Sequence, residues 1–230
     1  MKNKLLVIAI GLFSLILTGV AVSYAQQEGA SVDRSAAARG RHCVAQAYQI
    51  PEGMDEADLT AEAPAADTAA PAATCFRSFA EALQAATGAT SGIAPNITPA
   101  DVTDELLTSL TASAVPTDAA SAAGPAAPAA TRVIGIHYTG SSYTGSTHTW
   151  VVGNSLGCTT GYSYTYPNLG GTWLNDVISS YRAYGGCAAT YHFQHAYFLG
   201  PVLRCNWCST FDALDNRVSS IKWYRTPPHY

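Results

Sequence analysis

Positive charge is scarce in this chain, and what there is lies scattered. Charged residues make up 12% of the 230, with 12 Lys and Arg against 16 Asp and Glu. From Thr131 onward 6 basic residues stand against 3 acidic ones, a net of +3, interspersed with Tyr. So thin a distribution is no nucleic-acid footprint. Helical periodicity is missing from the same stretch, which excludes a helix bundle there. No Cys follows closely after the apolar run that opens the chain, so nothing suggests a lipoprotein.

The opening itself reads as an export signal over residues 1–25. Lys2 and Lys4 precede an apolar run from Leu5 to about Val22, and Ser23-Tyr24-Ala25 is a small-x-small cleavage site. The run is nearly long enough to span a membrane, so an uncleaved anchor is the competing reading. The mature chain then begins near Gln26, secreted and extracellular, with no membrane association. All six Cys lie beyond the signal, and an even number in an exported chain points to disulfides. Six Cys allow more pairings than sequence can resolve. The pairing expected is Cys43–Cys75, Cys158–Cys187 and Cys205–Cys208. The last encloses only two residues, a strained ring that is easier to reduce.

Residues 26–130 are acidic, with 4 basic residues against 13 acidic, a net of −9. Ala61 to Ala73 and Ala112 to Ala130 are Ala/Pro/Thr/Ser tracts without period, which read as linkers. Two short helices fit between them. Ser78-Phe79-Ala80-Glu81 is a capping-box pattern with Gly88 as the stop, and Phe79 and Leu83 share a face. Thr98-Pro99-Ala100-Asp101 offers an N-cap, a Pro at the first helical position and an acid in the first turn. Leu106, Leu107 and Leu110 then make one apolar stripe. This extension promises little core. It reads as a spacer or propeptide-like arm, dispensable for folding.

From Arg132 the texture changes. Val133 to Tyr138, Thr147 to Val152 and Ala189 to Phe193 are β-branched and aromatic runs bounded by Gly, Ser and Asn. Short strands with turn signals every eight to twelve residues or so suggest a sandwich. A pair of patterns repeats in the same order along this stretch, which indicates duplication. Tyr138 to Gly145 and Phe193 to Gly200 both read aromatic, four residues, aromatic, one residue, Gly, with Tyr143 and Phe198 as the second aromatics. Leu174-Asn175-Asp176-Val177-Ile178-Ser179-Ser180 is answered by Leu214-Asp215-Asn216-Arg217-Val218-Ser219-Ser220.

In these residues, over about 132–226, the chain resembles the calcium-binding microbial branch of the βγ-crystallin superfamily. There each Greek key opens with aromatic-x4-aromatic-x-Gly and closes with two Asn/Asp, two residues and Ser/Thr-Ser. The resemblance implies an all-β fold, two Greek keys forming a βγ-crystallin-like sandwich over 131–230 (keys about 132–184 and 187–226). A mostly irregular extension with short helices precedes it. The extension with Cys43 and Cys75 is similar, more loosely, to that of secreted bacterial members.

The resemblance also implies a reciprocal clamp for up to two Ca²⁺. Calcium takes about six to eight oxygens at roughly 2.3–2.6 Å. The ligands it implies are Asn175 or Asp176, the carbonyl of Val177, and Ser179. Their counterparts are Asp215 or Asn216, the carbonyl of Arg217, and Ser219. Ser180 and Ser220 are then structural, bonding the folded hairpins. Gly145 and Gly200 take a backbone conformation closed to residues with a Cβ.

Other signals fail on context. Gly153-Asn154-Ser155-Leu156-Gly157 matches a nucleophile elbow, but Cys158-Thr159-Thr160-Gly161-Tyr162 after it cannot be a helix, so no enzyme is expected. His192 and His195, three apart, face opposite sides of a regular strand, and a zinc site would need further ligands. Cys205-Asn206-Trp207-Cys208 lacks the strand-to-helix setting of a redox motif. Asn96-Ile97-Thr98 is a glycosylation sequon only where the host glycosylates. The expected function is a non-enzymatic calcium-binding module in a structural or binding role. The alternative, which the resemblance also implies, is an inhibitor of extracellular (metallo)peptidases, with Tyr162 to Pro167 as its candidate presenting loop. A toxin acting on a cell-surface component is the third class, and the fold does not choose among them.

Overall fold

The computed structural model describes residues 41–50, 73–113, 131–159 and 162–225. The signal segment falls outside them, as do the Ala/Pro tracts for nearly their whole length. Among the described residues no helix is long and apolar enough to cross a membrane.

Eight strands form the duplicated region. The first Greek key is β4 (Arg132–Gly140), β5 (Thr144–Val152), β6 (Ser163–Tyr166) and β7 (Ser180–Ala183). The second is β8 (Ala189–His195), β9 (Leu199–Arg204), β10 (Trp207–Cys208) and β11 (Ser220–Tyr224). Each key keeps three strands in one sheet and sends its third across to the other. Thus β6 lies beside β11, with Ile221 opposite Tyr166, and β10 lies beside β7, with Trp207 opposite Arg182. The exchange interlocks the keys, and the fold is an all-β, βγ-crystallin-like sandwich.

Three further strands come from the extension: β1 (His42–Gln46), β2 (Tyr48–Ile50) and β3 (Thr74–Phe76). The first sheet runs β10-β7-β4-β5-β1-β3 and the second β2-β6-β11-β8-β9. β1 lies parallel to β5, with Cys43 opposite His148, and Ala47 N–H donates to Val151 O at 2.9 Å. The chain then steps to the other sheet, where β2 pairs with β6. Cys43 stands opposite Cys75, and the disulfides are Cys43–Cys75, Cys158–Cys187 and Cys205–Cys208.

Two cores result. Ile134, Trp150, Tyr164, Tyr166, Tyr181 and Trp223 fill the space between the sheets. Val133, Ile136, Tyr138, Val151 and Tyr184 lie on the outer face of the first sheet, under two helices. A bulge between Val133 and Gly135 lets Ile134 and His137 both turn inward.

The helices are α1 (Phe79–Thr87) and α2 (Asp104–Ser113). α1 has the expected capping box: Glu81 N–H donates to Ser78 Oγ and Ser78 N–H to Glu81 Oε2, each at 3.2 Å. Gly88 ends it at φ 71°. α2 starts later than Thr98 suggests. Thr98 opens only the 3₁₀ turn Pro99–Asp101, and Val102 then runs extended and buried, its carbonyl accepting from Tyr184 Oη at 3.3 Å. Thr103 caps the helix, receiving Leu106 N–H at 3.2 Å.

The extension therefore contributes core that its composition hid. Phe79, Leu83, Leu107 and Leu110 are buried against the sheet. Each such burial is worth roughly 1.5–3 kcal/mol before entropy is charged against it. An outer sheet face as apolar as Val133, Ile136 and Val151 gains cover from these segments, which counts against the expectation of a dispensable spacer.

Candidate metal loops

Both hairpins at the start of the keys fold the same way. Ser142 and Tyr143 in the first, and Tyr197 and Phe198 in the second, have φ between 54° and 63°. The left-handed pair turns the second aromatic back onto the first. Tyr138 and Tyr143 meet edge-on with centroids 5.6 Å apart at 67°, and Phe193 and Phe198 repeat both values. Gly145 and Gly200 follow at φ 83° and 78°. A Cβ on Gly145 would sit 2.6 Å from Thr139 Oγ1.

A cation closes each corner, which the sequence reading missed. Arg182 lies over the Tyr143 ring at 3.9 Å, and Lys222 over the Phe198 ring at 4.2 Å. Each stands two residues after the Ser-Ser pair. That spacing could have revealed them once the repeats were aligned.

The second Ser of each loop ties loop to corner. Ser180 Oγ donates to Gly140 O at 2.6 Å and receives Tyr143 N–H at 3.1 Å. Ser220 Oγ donates to His195 O at 2.7 Å and receives Phe198 N–H at 3.0 Å. The first Ser is fixed through its backbone: Ser179 N–H donates to Tyr138 O and Ser219 N–H to Phe193 O, each at 2.9 Å.

These ties bring the two loops together. Asp176 N–H donates to Val218 O at 3.2 Å and Asn216 N–H to Ile178 O at 2.9 Å, so each loop grips the other's backbone. Asp176 and Asn216 hold equivalent left-handed positions, φ 57° and 55°. Each side chain reaches across the pair. Ser219 Oγ stands 3.4 Å from Asp176 Oδ1, and Ser179 Oγ stands 3.5 Å from Asn216 Oδ1. The first Asn/Asp of each loop instead binds its neighbour: Asn175 Nδ2 donates to Asp176 Oδ2 at 2.6 Å, and Asn216 Nδ2 to Asp215 Oδ2 at 3.0 Å. Val177 and Arg217 donate backbone N–H groups to Leu174 O and Leu214 O.

The donor set is all oxygen: one carboxylate, one amide, hydroxyls and carbonyls per half. That chemistry suits a hard cation. Asn175 Oδ1 is buried and has no hydrogen-bond partner, an acceptor left over in the first loop. Among the described residues no group of three or more His, Cys, Asp or Glu is placed to hold a metal. A site here would thus depend on amide, hydroxyl and backbone oxygens as well as carboxylate.

The other motifs fall elsewhere. Among the described residues no helix begins directly after Ser155; Asn154 Oδ1 instead receives Leu156 and Gly157 N–H at 3.0 Å, closing a turn. His192 is buried and His195 exposed. Tyr164 and Tyr166 are each 1% exposed, in a strand of the second sheet, not in a presenting loop. Burial pushes the Tyr166 hydroxyl up to about 12.

No family model matches the chain, and no curated protein does. Solved βγ-crystallin domains do. An archaeal βγ-crystallin shares 19% identity over 40% of this chain and 96% of its own, with a TM-score of 0.29. A domain from Flavobacterium johnsoniae shares 26% over 42% and 99%, with a TM-score of 0.30. A mutant clostrillin in complex with nickel shares 18% over 40% and 97%, with a TM-score of 0.28.

Proposed function

We propose that the protein is a secreted, non-enzymatic calcium-binding module of βγ-crystallin type, acting outside the cell in a structural or binding role. The observation that supports it is the reciprocal approach of the loops, Asp176 to Ser219 and Asn216 to Ser179. When bound, calcium would neutralise the carboxylates and hold the two loops together. Asp176 or Asn175 with Ser219 would serve one ion, and Asn216 or Asp215 with Ser179 the other. The carbonyls of Val177 and Arg217 complete the sets. One carboxylate per loop makes for weak sites, on the order of 10⁻⁵ to 10⁻³ M, in the range of extracellular modules. Export is supported by the leading apolar run and by the pairing of every Cys. The peptidase-inhibitor reading has lost its anchor, because Tyr164 and Tyr166 are core residues.

Calorimetric titration with calcium tests the proposal. Asp176→Ala and Ser219→Ala should weaken the same site, and Ser179→Ala the other. Arg217→Val, which removes a cation beside the second loop, should tighten one site and leave the other nearly unchanged. Absence of heat in the unsubstituted protein at millimolar calcium would refute it.

A further inference from the structure

The duplication carries one more echo. His137 precedes Tyr138 and His192 precedes Phe193, so the two histidines occupy equivalent positions in the two keys. β4 and β8 bring them face to face between the sheets, Nε2 to Nε2 at 3.0 Å, both without exposed surface. Trp150 Nε1 stands 2.8 Å from His137 Nδ1. Indole N–H only donates, so His137 Nδ1 must be the bare nitrogen. The His137 proton is then on Nε2, donating to His192 Nε2. His192 keeps its own proton on Nδ1, directed at Leu203 O at 3.4 Å. Every ring nitrogen has one role, and both rings are neutral.

Neither ring of the pair has a nitrogen free to take another proton. Protonating His192 at Nε2 sets two N–H groups against each other at 3.0 Å. Protonating His137 at Nδ1 sets one against the Trp150 N–H. A metal ion between the Nε2 atoms fails for the same reason, because it would move the His137 proton onto Nδ1.

The surroundings offer a cation no compensation. Tyr181 of β7 stacks on His137 at 4.3 Å and meets His192 at 4.8 Å. The Tyr181 hydroxyl is engaged with Thr190 Oγ1 at 3.0 Å and Trp223 Nε1 at 2.9 Å. Trp223 of β11 lies 6.4 Å from His137, and Phe211 lies 4.6 Å from His192. His148 of β5, against Trp150, has both ring nitrogens buried without a partner. The buried polar side chains among the described residues include no Asp or Glu. Lys222 is the buried cation, and it is turned to the Phe193 and Phe198 rings.

We propose that His137 and His192 form an acid-operated latch between the two Greek keys: the neutral pair holds the sandwich shut, and a solvent proton is accepted only when it opens. Burial drives His137 well below the ordinary histidine value, with His192 and His148 adding to the fall; burial also takes His192 and His148 down to about 3. With the folded values depressed, the stabilisation is complete above the unfolded value of about 6.5 and drains away as pH falls from there toward the folded values. Each such histidine raises the unfolding constant by up to about tenfold per pH unit, so the pair gives up to about a hundredfold.

Ring ¹⁵N spectra of the whole protein, disulfides intact, test this without substitution. The expected result is a proton on His137 Nε2 and on His192 Nδ1, both unchanged from pH 8 to the onset of acid unfolding. Either of these two rings titrating near 6.5 in the folded protein, or the opposite tautomers, would overturn it. Urea unfolding between pH 7.5 and 4.5 gives the second arm. If His137→Gln with His192→Gln folds, its unfolding constant should rise less steeply by up to about a hundredfold per pH unit, and an unchanged slope would equally overturn the latch. Should that variant not fold, the spectra decide alone.

Discussion

Ser180 and Ser220 each serve as donor and acceptor at once, which makes them the most informative single residues outside the proposed ligand set. Each hydroxyl bridges a strand carbonyl and a corner N–H. Replacing either by Ala takes a partner from two part-buried backbone groups, at a cost of up to about 1–3 kcal/mol apiece. Urea denaturation of Ser180→Ala and Ser220→Ala should show losses of about that size in both, with the slope against denaturant unchanged. A loss in only one would mean that the corners are not equivalent. The corner aromatics, Gly145, Gly200 and these serines were legible because each repeats at fixed spacing. The histidine pair was not. His192 invited a zinc reading, and nothing local says that His137 meets it, because that contact depends on two strands far apart in sequence. The cations Arg182 and Lys222 were hidden by their difference in type, although they stand at one position of the repeat.

At the scale of elements, capping chemistry was the most readable signal. Ser78 with Glu81 and Gly88 fixed both ends of α1, because caps are satisfied within a few residues. Thr98 offered the same chemistry and produced only a 3₁₀ turn, since burying Val102 required an extended residue there. β1 to β3 gave little sign of themselves. His42–Gln46 presents Cys43 and Ala45 to the core, small side chains in an Ala-rich background, and its parallel pairing with β5 has no turn to announce it. Likewise Ser163–Tyr166 resembles an exposed aromatic loop until it is seen to cross into the other sheet. A fragment beginning at Thr131 tests the value of these elements. It would uncover Val133, Ile136, Tyr138, Val151 and Tyr184. Its thermal midpoint should lie about 10 °C or more below that of the whole chain, equivalent to a few kcal/mol. A midpoint equal to that of the whole chain would show that the outer core adds nothing.

For the whole molecule, the exchange of β6 and β10 makes each key incomplete alone, and the loops and the histidine pair both lie where the keys meet. Calcium at the loops would therefore stabilise the same assembly that acid opens. Ligand that binds only the folded state adds roughly 2.7 kcal/mol at a hundredfold excess over Kd. The direct measurement is a thermal melt of the unsubstituted protein in calcium and in chelator at one pH. The midpoint should be about 5–10 °C higher with saturating calcium, for a chain of this length. A midpoint indifferent to millimolar calcium would contradict the metal-loop reading and leave Asn175 to Ser179 and Asp215 to Ser219 as two structural turns.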